Sequence, residues 1–464
     1  MLVEAKGRST VVNKTKQMKL GLFMRPVGHH IAAWRHPDSD IDANVNFQRF
    51  VTMAQTAERG RFDMLFSADN VTTWTAKEEG LQYTHYVAWI EPFTMLSALA
   101  PLTKNIGLVC TATTSYDEPY SLARRFGSLD LVSGGRAGWN LITSDNTTEA
   151  DNFGRVSHPP KEERYQRARE FAQVVKGLWN SWDDDAFLYD RTRGVYFDRS
   201  KMHILNHSGK YFKVKGPLNV ARSPQGQPVL VQAGASESGM ELAAETAEVV
   251  FAAQSTLEGG KAFYSNVKGR MARFRRDPDQ LKIMPGLSVI VGRTEDEAKE
   301  KNARMQSYIH PEVGVGFLST RLAFDLRGYP IDGPLPELPK NDLAASRVDI
   351  VVAMAKRENL TIRQIYELFA GARGHLEVVG TPTQIADRMQ EWCEAEAADG
   401  FNVIIPYFPD GLNDFVDRVI PELQRRGIFR TEYESATLRG NLGLQFPATR
   451  RVAQDERMAA NSGE

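Results

Sequence analysis

The chain has 464 residues, of which 42% are hydrophobic and 25% charged, as is ordinary for a globular enzyme. Its formal net charge of −1 gives no electrostatic reason to expect nucleic-acid or membrane-surface binding. The two cysteines, Cys110 and Cys393, suit a reducing compartment without a disulfide framework. No apolar run reaches the ~18–20 residues that span a bilayer. We expect a cytoplasmic enzyme whose residues 1–17, which lack the apolar stretch of a secretory signal, form a flexible extension.

Short apolar runs alternate with helical segments along the chain. Strands of a parallel sheet are continuous apolar runs because both faces are buried, whereas helices repeat apolar residues every three to four positions. The predicted strands are 18–23, 62–68, 106–112, 136–142, 228–233, 248–253, 282–292 and 401–408. The predicted helices are 46–59, 93–103, 119–131, 163–179, a short one around Met240, 257–275, 295–309 and 413–426.

Eight consecutive βα units predict an α/β fold, a closed (β/α)8 TIM barrel, since right-handed crossovers leave few other arrangements. An open doubly wound sheet is the alternative, but no G-x-G-x-x-G motif follows the first strand. Two insertions, 183–227 and 310–380, are too long for ordinary connections, and they build a lid, a pocket wall or an oligomer interface. The second contains the predicted helices 343–357 and 361–370. We expect one barrel domain over 18–440 and a loosely structured tail over 441–464.

Short hydroxylated residues follow two consecutive strands. Thr111, Thr113 and Thr114 end the third strand, and Thr143 and Ser144 follow the fourth. Ligands bind at the carboxyl ends of parallel strands in α/β folds. Strand-end capping explains any single threonine, but two consecutive strands that end this way favour a ligand site.

A carboxylate and a possible anion site follow two further strands. Asp69 ends the second strand in LFSADN, where it either caps the next helix or contacts a ligand. The turn Ala233, Gly234, Ala235, Ser236 opens the helix after the fifth strand. Exposed N–H groups, a hydroxyl and the helix dipole can bind an anion there, although an ordinary N-cap uses the same residues.

No metal-ligand spacing, serine-nucleophile elbow or Walker loop is present in the sequence, which favours a cofactor as the carrier of the chemistry. Motifs along nearly the whole chain resemble the flavin-dependent monooxygenases of the bacterial-luciferase-like superfamily. The resemblance is to the branch of nitrilotriacetate, dibenzothiophene-sulfone and long-chain alkane monooxygenases, and it is strongest to the nitrilotriacetate and EDTA enzymes. The motifs include GHHIAAWRHP (28–37), ERGRFDMLFSAD (58–69), TATTSYDEPYSLARRFGSLD (111–130), GGRAGWNLITS (134–144) and SPQGQPVLVQAGAS (223–236).

The resemblance implies a two-component enzyme without a metal. A separate NAD(P)H:FMN reductase would supply reduced FMN, O2 would add at flavin C4a, and the barrel would shield the product from water. It also implies a homodimer or homotetramer. A flavin-modifying lyase and a flavin-binding protein without oxygenase activity remain as alternatives.

The resemblance also assigns roles around the flavin ring and phosphate. Asp69, Thr111 and Ser144 match positions that border the ring, and Asp145 stands where the alkane enzymes carry a histidine. The turn 233–236 matches the phosphate site, together with two residues of the helix after the fourth strand. These two are Tyr165 and Lys161, the latter in place of a histidine found in many relatives.

The substrate is expected to meet the loops around the barrel mouth. His29 is a candidate catalytic or substrate contact, although a loop histidine is often only solvated. Trp74, with Tyr83, Tyr86 and Trp89, forms either a pocket wall or a small satellite cluster.

The closest resemblance favours an amine-bearing polycarboxylate such as nitrilotriacetate, hydroxylated next to nitrogen so that the C–N bond breaks. Arg35 and Arg155 are candidate partners for its carboxylates, because buried carboxylates must be paired. A neutral organosulfur, chloroaromatic or other xenobiotic compound is the rival. Pro26, where the alkane enzymes carry a cysteine, argues against the alkane subfamily.

Overall fold

A computed structural model describes residues 17–73, 78–144, 146–322, 324–338, 352, 355–372 and 374–449. The strands of these residues are β1 (Lys19–Phe23), β2 (Met64–Ser67), β3 (Gly107–Thr113), β4 (Ala137–Ile142), β5 (Phe187–Asp190), β6 (Val195–Phe197), β7 (His207–Ser208), β8 (Lys213–Val214), β9 (Val229–Ala233), β10 (Val249–Ala252), β11 (Lys282–Val291), β12 (Leu376–Gly380) and β13 (Gly400–Ile404).

Eight of these strands form a closed parallel barrel. They run around it in the order β1, β2, β3, β4, β9, β10, β11, β13, and β13 pairs with β1. Each overlaps one of the strands predicted from the sequence, so the predicted TIM barrel is confirmed. Nearly all of their residues are buried, which explains why the strands are continuous apolar runs rather than alternating ones.

A further parallel strand, β12, pairs with the end of β11 and was missed by the sequence analysis. β11 is ten residues long, so it pairs with β10 at its start, with β13 in the middle and with β12 at its end. The sequence of β12, LEVVG, is short and lies at the end of the second insertion, which concealed it.

Helices connect the strands outside the barrel. Several begin at a capping side chain: Asn46, Glu91, Ser236, Thr256, Thr294 and Thr381 each accept a hydrogen bond from the first turn, which satisfies N–H groups that have no partner within the helix. The helices are α1 (Phe47–Arg59), α2 (Pro92–Leu99), α3 (Pro119–Val132), α4 (Lys161–Trp179), α5 (Glu237–Thr246), α6 (Leu257–Arg270), α7 (Glu295–Ser307), α8 (Pro311–Leu322), α9 (Ile362–Ala372), α10 (Pro382–Glu394), α11 (Asp410–Asp414), α12 (Ile420–Arg425) and α13 (Leu438–Asn441), with a π-helical segment, Phe415–Val419, between α11 and α12.

The two insertions have different structures. The first forms the antiparallel hairpins β5–β6 and β7–β8. In the second, α8, which was not predicted, and α9 pack against Ile31 and Tyr86 near the first βα loop. Most of the predicted helix 343–357 lies outside the described residues.

The segment after α12 closes the N-terminal end of the barrel. Leu438, Leu442 and Leu444 are buried against interior residues such as Val109 and Val229. Residues 441–444, which we expected in a loose tail, therefore belong to the packed structure, whereas 1–16 and 450–464 lie outside the described residues. Within the described part of the chain, no helix has both the length and the apolar character needed to cross a membrane.

Candidate active site

Three phenylalanines close the barrel interior below its C-terminal mouth. Phe23 of β1, Phe66 of β2 and Phe251 of β10 contact one another with ring centres 5.3–5.4 Å apart. We call this group the aromatic floor. Aromatic rings in edge-to-face contact pack densely, so a ligand at the mouth meets an apolar surface that excludes water from below.

His29 lies on the aromatic floor. Its ring meets Phe23 edge-on at 4.6 Å, and the residue is 4% exposed. The loop is held in place, because the His29 N–H donates to the Ile405 carbonyl at 2.9 Å and the Tyr86 hydroxyl donates to the His29 carbonyl at 2.6 Å. The structure thus places His29 at the barrel mouth on a fixed loop, not in solvent.

A second histidine at the mouth was missed by the sequence analysis. His375 precedes β12 and stacks on Phe251 with ring centres 5.1 Å apart. It belongs to no motif that could be recognised in the second insertion. Only the pairing of β12 with β11 brings it to the barrel.

A cleft of about 720 Å³, part of it open to solvent, lies beside the ends of β2, β3 and β4. The structure brings Asp69, Thr111 and Ser144 together in its wall, as the sequence analysis expected of residues that share a ligand. The other lining residues include Glu91, Phe93, Thr113, Tyr116, Asp117, Arg125, Glu149 and Phe153.

Asp69 is a half-buried carboxylate that accepts a hydrogen bond from a neutral group. Its Oδ1 accepts a hydrogen bond from the Trp89 indole at 3.0 Å. Burial raises the pKa of Asp69 to about 6, and the bond from Trp89 opposes that shift. Its charge therefore changes close to neutral pH, which is unusual for an aspartate and common at functional sites.

The hydroxyl groups of the cleft form two separate hydrogen-bonded pairs. The Asn140 amide donates to Thr111 Oγ1 at 2.7 Å, and the Thr113 and Ser144 hydroxyls are 2.8 Å apart. Asn140 is 2% exposed, and its Oδ1 has no hydrogen-bond partner among the described residues. A buried amide oxygen of this kind normally has a partner, so Asn140 Oδ1 is a candidate acceptor for a donor from a ligand.

Two side chains fix the backbone at the end of β4. Ser144 has a φ of 47°, a conformation that costs energy for a residue other than glycine. Its carbonyl accepts hydrogen bonds from Arg164 and from His158 Nε2, the latter at 3.2 Å. Because a carbonyl only accepts, a neutral His158 must accept at Nδ1, where Tyr116 donates at 2.8 Å. The sequence analysis did not identify Arg164 or His158.

The turn before α5 has the geometry of an anion site. Ser236 caps α5 by accepting from the Gly239 N–H at 3.3 Å, and the Tyr165 hydroxyl lies 3.3 Å from Ser236 Oγ. Lys161 is exposed and lies one helical turn before Tyr165, so the two share a face of α4. Since β9 is the neighbour of β4, this turn lies beside the cleft. A helix start, two hydroxyls and a lysine beside a hydroxyl-lined cleft fit the phosphate and ring of FMN.

Arg35, Arg155 and Tyr83 are not among the residues that line the cleft, although Arg155 lies beside Tyr116, which does line it. Arg35 is exposed and donates to the Tyr308 carbonyl at 2.6 Å, and Arg155 is exposed beside the Tyr116 ring. Tyr83 stacks on His310 at 3.7 Å within the second insertion. Trp74 and Asp145 lie outside the described residues.

An arginine that the sequence analysis did not identify lies at the mouth. The guanidinium carbon of Arg25 is 5.1 Å from the ring centre of Tyr86, 5.7 Å from that of Trp89 and 6.0 Å from that of Phe23. No spacing rule singles it out in FMRPVGHH, because two of its three aromatic neighbours, Tyr86 and Trp89, come from the distant loop after β2. Among the described residues, no three histidine, cysteine or acidic side chains come together as metal ligands would.

Residues 27–399 match the family model described as luciferase-like monooxygenase. The chain belongs to this family. It is 50% identical over 441 residues to nitrilotriacetate monooxygenase component A of Aminobacter aminovorans, covering 93% of this chain and 97% of that protein. It is 49% identical over 443 residues to N-acetyl-S-(2-succino)cysteine monooxygenase of Bacillus subtilis, covering 95% and 99%.

Solved structures agree with these sequence comparisons. A riboflavin lyase, solved with modified FMN and its substrate riboflavin, superposes with a TM-score of 0.81 and 30% identity, covering 94% of this chain and 98% of that one. The resemblance inferred from the motifs is therefore confirmed, and the chain is a flavin-dependent monooxygenase.

Proposed function

We propose that the chain is the oxygenase component of a two-component system that uses reduced FMN and O2 to oxidise a small amine-bearing polycarboxylate such as nitrilotriacetate. One observation carries the proposal. At the C-terminal mouth of the barrel, a hydroxyl-lined cleft lies beside the start of α5, which has the geometry of an anion site, and the aromatic floor lies below them. A relative named component A supports a separate reductase as the partner.

The proposed reaction balances without a metal. A tertiary amine that carries a carboxymethyl arm, together with O2 and reduced FMN, gives the amine hydroxylated on the methylene carbon of that arm, oxidised FMN and water. The C–N bond of this carbinolamine then breaks, the hydroxyl proton moves to nitrogen, and the products are a secondary amine and glyoxylate. The flavin supplies two electrons and activates oxygen.

The protein's own residues would bind, orient and exclude water. Ser236, Tyr165 and Lys161, with the N–H groups that open α5, would hold the phosphate. Asp69, Thr111 and Ser144 would border the ring, Asp145 would lie next to it, and the turn residues 233–235 would line the phosphate. His29 would contact the substrate or move a proton, and the aromatic floor would keep water out.

The two most similar relatives reported above support an anionic substrate. Nitrilotriacetate and N-acetyl-S-(2-succino)cysteine are the compounds in their names, and both carry several carboxylates around a nitrogen or a sulfur. The second name makes a thioether polycarboxylate the first alternative.

An oxygen-uptake screen tests the proposal. The purified protein, a flavin reductase, NADH and FMN are mixed with nitrilotriacetate, N-acetyl-S-(2-succino)cysteine, dibenzothiophene sulfone or a long-chain alkane. We expect glyoxylate, formed with one atom from labelled O2, from nitrilotriacetate, and the reductase without the protein is the control. Oxidation of only the uncharged compounds, or of none, would contradict the proposal.

A flavin-modifying lyase is the second candidate, supported by the likeness to riboflavin lyase. Mass spectrometry of riboflavin after incubation distinguishes the two, because only a lyase removes the ribityl chain.

We also propose a homodimer or homotetramer, which light scattering would contradict by giving a mass near 52.0 kDa.

A further inference from the structure

A second cavity lies between the loops after β1 and β13 and the helices α7 and α11. It has a volume of about 660 Å³, part of it open to solvent. Its lining residues are His36, Asp38, Lys301, Arg304, Tyr407, Asp410, Asn413 and Asp414. None of them lines the cleft that contains Asp69, so this cavity, which we call the rim pocket, is separate from the proposed flavin site.

Two stacked rings form the buried wall of the rim pocket. His36 is 5% and Tyr407 7% exposed, and their ring centres are 4.0 Å apart. Burial lowers the pKa of His36, and its Nδ1 accepts a hydrogen bond from the Asp38 N–H at 3.3 Å, so the neutral ring carries its proton on Nε2. Among the described residues, neither Nε2 nor the Tyr407 hydroxyl has a hydrogen-bond partner. Because polar atoms of buried side chains are normally paired, both groups are candidate donors to a ligand.

Three carboxylates lie near the Tyr407 hydroxyl. Burial is the main cause that raises the pKa of Tyr407 to about 12, and the negative charges of Asp414, Asp410 and Asp38 contribute. The hydroxyl therefore keeps its proton at neutral pH and can donate. The rim pocket thus has hydrogen-bond donors on its buried wall, and the exposed carboxylates of Asp38 and Asp410 lie at its edge.

The charges of the rim pocket do not all pair with one another. Lys301 and Asp414 form an ion pair at 2.8 Å and so neutralise each other. Arg304 is exposed and makes one recorded ion pair, through Nη2 with a glutamate of its own helix at 3.0 Å. One guanidinium and the two exposed carboxylates, those of Asp38 and Asp410, therefore remain to meet a ligand. A guanidinium binds a carboxylate by paired hydrogen bonds, and carboxylates bind an ammonium group.

We propose that the rim pocket binds a small zwitterionic amino acid. The carboxylate of the amino acid would accept hydrogen bonds from Arg304, His36 and Tyr407. Its ammonium group would donate to Asp38 and Asp410. A ligand with only a negative charge would meet two carboxylates without a partner, and one with only a positive charge would meet the guanidinium. Only a ligand with both charges pairs all of these groups.

The two loops that line the rim pocket also hold the candidate catalytic histidine. The His29 N–H donates to the Ile405 carbonyl at 2.9 Å, and the Phe408 N–H donates to the Val27 carbonyl at 3.1 Å. An amino acid that bridges the two loops should therefore restrict the loop that carries His29 without entering the cleft. We expect it to slow the hydrogen exchange of the backbone amides of residues 27–30.

Calorimetric titration of glycine, glutamate and lysine into the purified protein tests the proposal. We expect at least one of the three to bind at a single site, and acetate and methylammonium, which each carry one of the two charges, to bind at least tenfold more weakly. Arg304→Gln and Tyr407→Phe should each weaken binding of that amino acid by about tenfold, because each removes a hydrogen bond to a charged group, and FMN affinity should be unchanged. Arg293→Gln is the matched control, since Arg293 also pairs with a glutamate of α7, Glu297 at 2.9 Å, but does not line the rim pocket.

Four outcomes would overturn the proposal. They are no binding of any of the three amino acids, equally tight binding of acetate or methylammonium, unchanged affinity of the bound amino acid in Arg304→Gln, and unchanged hydrogen exchange of residues 27–30 when the amino acid is bound. The titrations require no turnover, so a failure of the proposed oxygenase function would leave their interpretation unaffected.

Discussion

Both ends of the barrel contain charged side chains, which are mostly buried at the N-terminal end and half-buried at the C-terminal end, and the two ends give them different partners. At the N-terminal end, Arg430 pairs with Asp63 at 2.7 Å, and Arg439 pairs with Glu248. At the C-terminal end, Asp69 accepts from a neutral indole, and Arg25 lies among aromatic rings. The two charges of a buried ion pair fix each other, whereas Asp69, which accepts a hydrogen bond from a neutral indole and has a raised pKa, can still change its charge. The comparison separates the end of the barrel whose charges are fixed in ion pairs from the end at which we propose that the ligand binds.

The backbone shows the same contrast. At the C-terminal end, Gly28 has a φ of 143°, and a Cβ there would lie 2.2 Å from the Pro406 carbonyl oxygen. Only glycine allows this close approach, which fixes the loop that carries His29. Ser144, without that freedom, is held at a φ of 47° by Arg164 and His158. At the N-terminal end, α13 and the buried leucines after it close the barrel with ordinary helical packing.

The largest effect on stability is expected from removing the ion pair between Arg430 and Asp63 at the N-terminal end of the barrel. Asp63 and Arg430 are 0% and 1% exposed, so Arg430→Met leaves a buried carboxylate without its ion-pair partner. We expect a loss of about 3–5 kcal/mol in the free energy of unfolding, measured by urea denaturation. The matched control Arg59→Met breaks the exposed pair with Asp417 and should cost less than about 1 kcal/mol. Equal losses of unfolding free energy in Arg430→Met and Arg59→Met would contradict the view that the buried ion pair stabilises the N-terminal end of the barrel.

The anion site gives the next largest effect. Ser236 and Thr256 both cap a helix by accepting from a glycine N–H, at 3.3 and 3.2 Å. Replacing either by alanine should lower stability by about 1 kcal/mol. Only Ser236→Ala should also weaken FMN binding, by about tenfold, because a hydrogen bond to a charged group contributes about 1.5–3 kcal/mol. Fluorescence titration of FMN into both variants measures the difference, and a similar affinity in the two would remove Ser236 from the phosphate site.

The sequence predicts the barrel well because both features that define it are local. Each strand is a continuous apolar run, and each helix has its own period and cap, so eight units could be read in order. Asp69, Thr111 and Ser144 follow strands directly, so their meeting in one cleft follows from the topology alone.

What the sequence analysis missed depends on contacts between distant segments. Arg25 and His375 have no motif of their own and acquire their surroundings from rings on other elements. The structure leaves Arg35 exposed although Arg35 lies near His29 in sequence, because the short turn between them directs Arg35 towards Tyr308. Leu442 and Leu444 show no period, yet the open end of the barrel buries them.

Replacing Asp69 is expected to have a smaller effect, and to increase stability rather than decrease it. Its pKa is raised to about 6 above the ordinary value near 3.9, so the folded state binds the proton more tightly than the unfolded state does. The contribution of Asp69 to stability is therefore greatest at low pH and is lost as the pH rises from about 4 through 6. Asp69→Asn removes this loss and should raise the free energy of unfolding by about 1–2 kcal/mol at pH 8 but not at pH 4. Thermal unfolding at both pH values tests this.

The same substitution should alter the pH dependence of activity. If the ionised carboxylate accepts a hydrogen bond from the flavin, turnover rises with pH through about 6 in the wild type. In Asp69→Asn this rise should be absent. A rise that persists in the variant would assign it to another group.

The smallest effect on stability and on substrate affinity is expected from Arg35→Gln. This variant tests whether the substrate site extends beyond the barrel mouth. Arg35 is exposed, and its recorded hydrogen bond goes to a backbone carbonyl, that of Tyr308. Surface substitutions of this kind usually change stability by less than about 0.5 kcal/mol. Because the guanidinium points to Tyr308 and not to the aromatic floor, the affinity for a polycarboxylate should change by less than twofold. Titration of nitrilotriacetate into the wild type and Arg35→Gln side by side measures this. A tenfold loss of nitrilotriacetate affinity in Arg35→Gln would show that Arg35, on the outer surface of the loop, contacts the substrate. The substrate site would then not be confined to the barrel mouth.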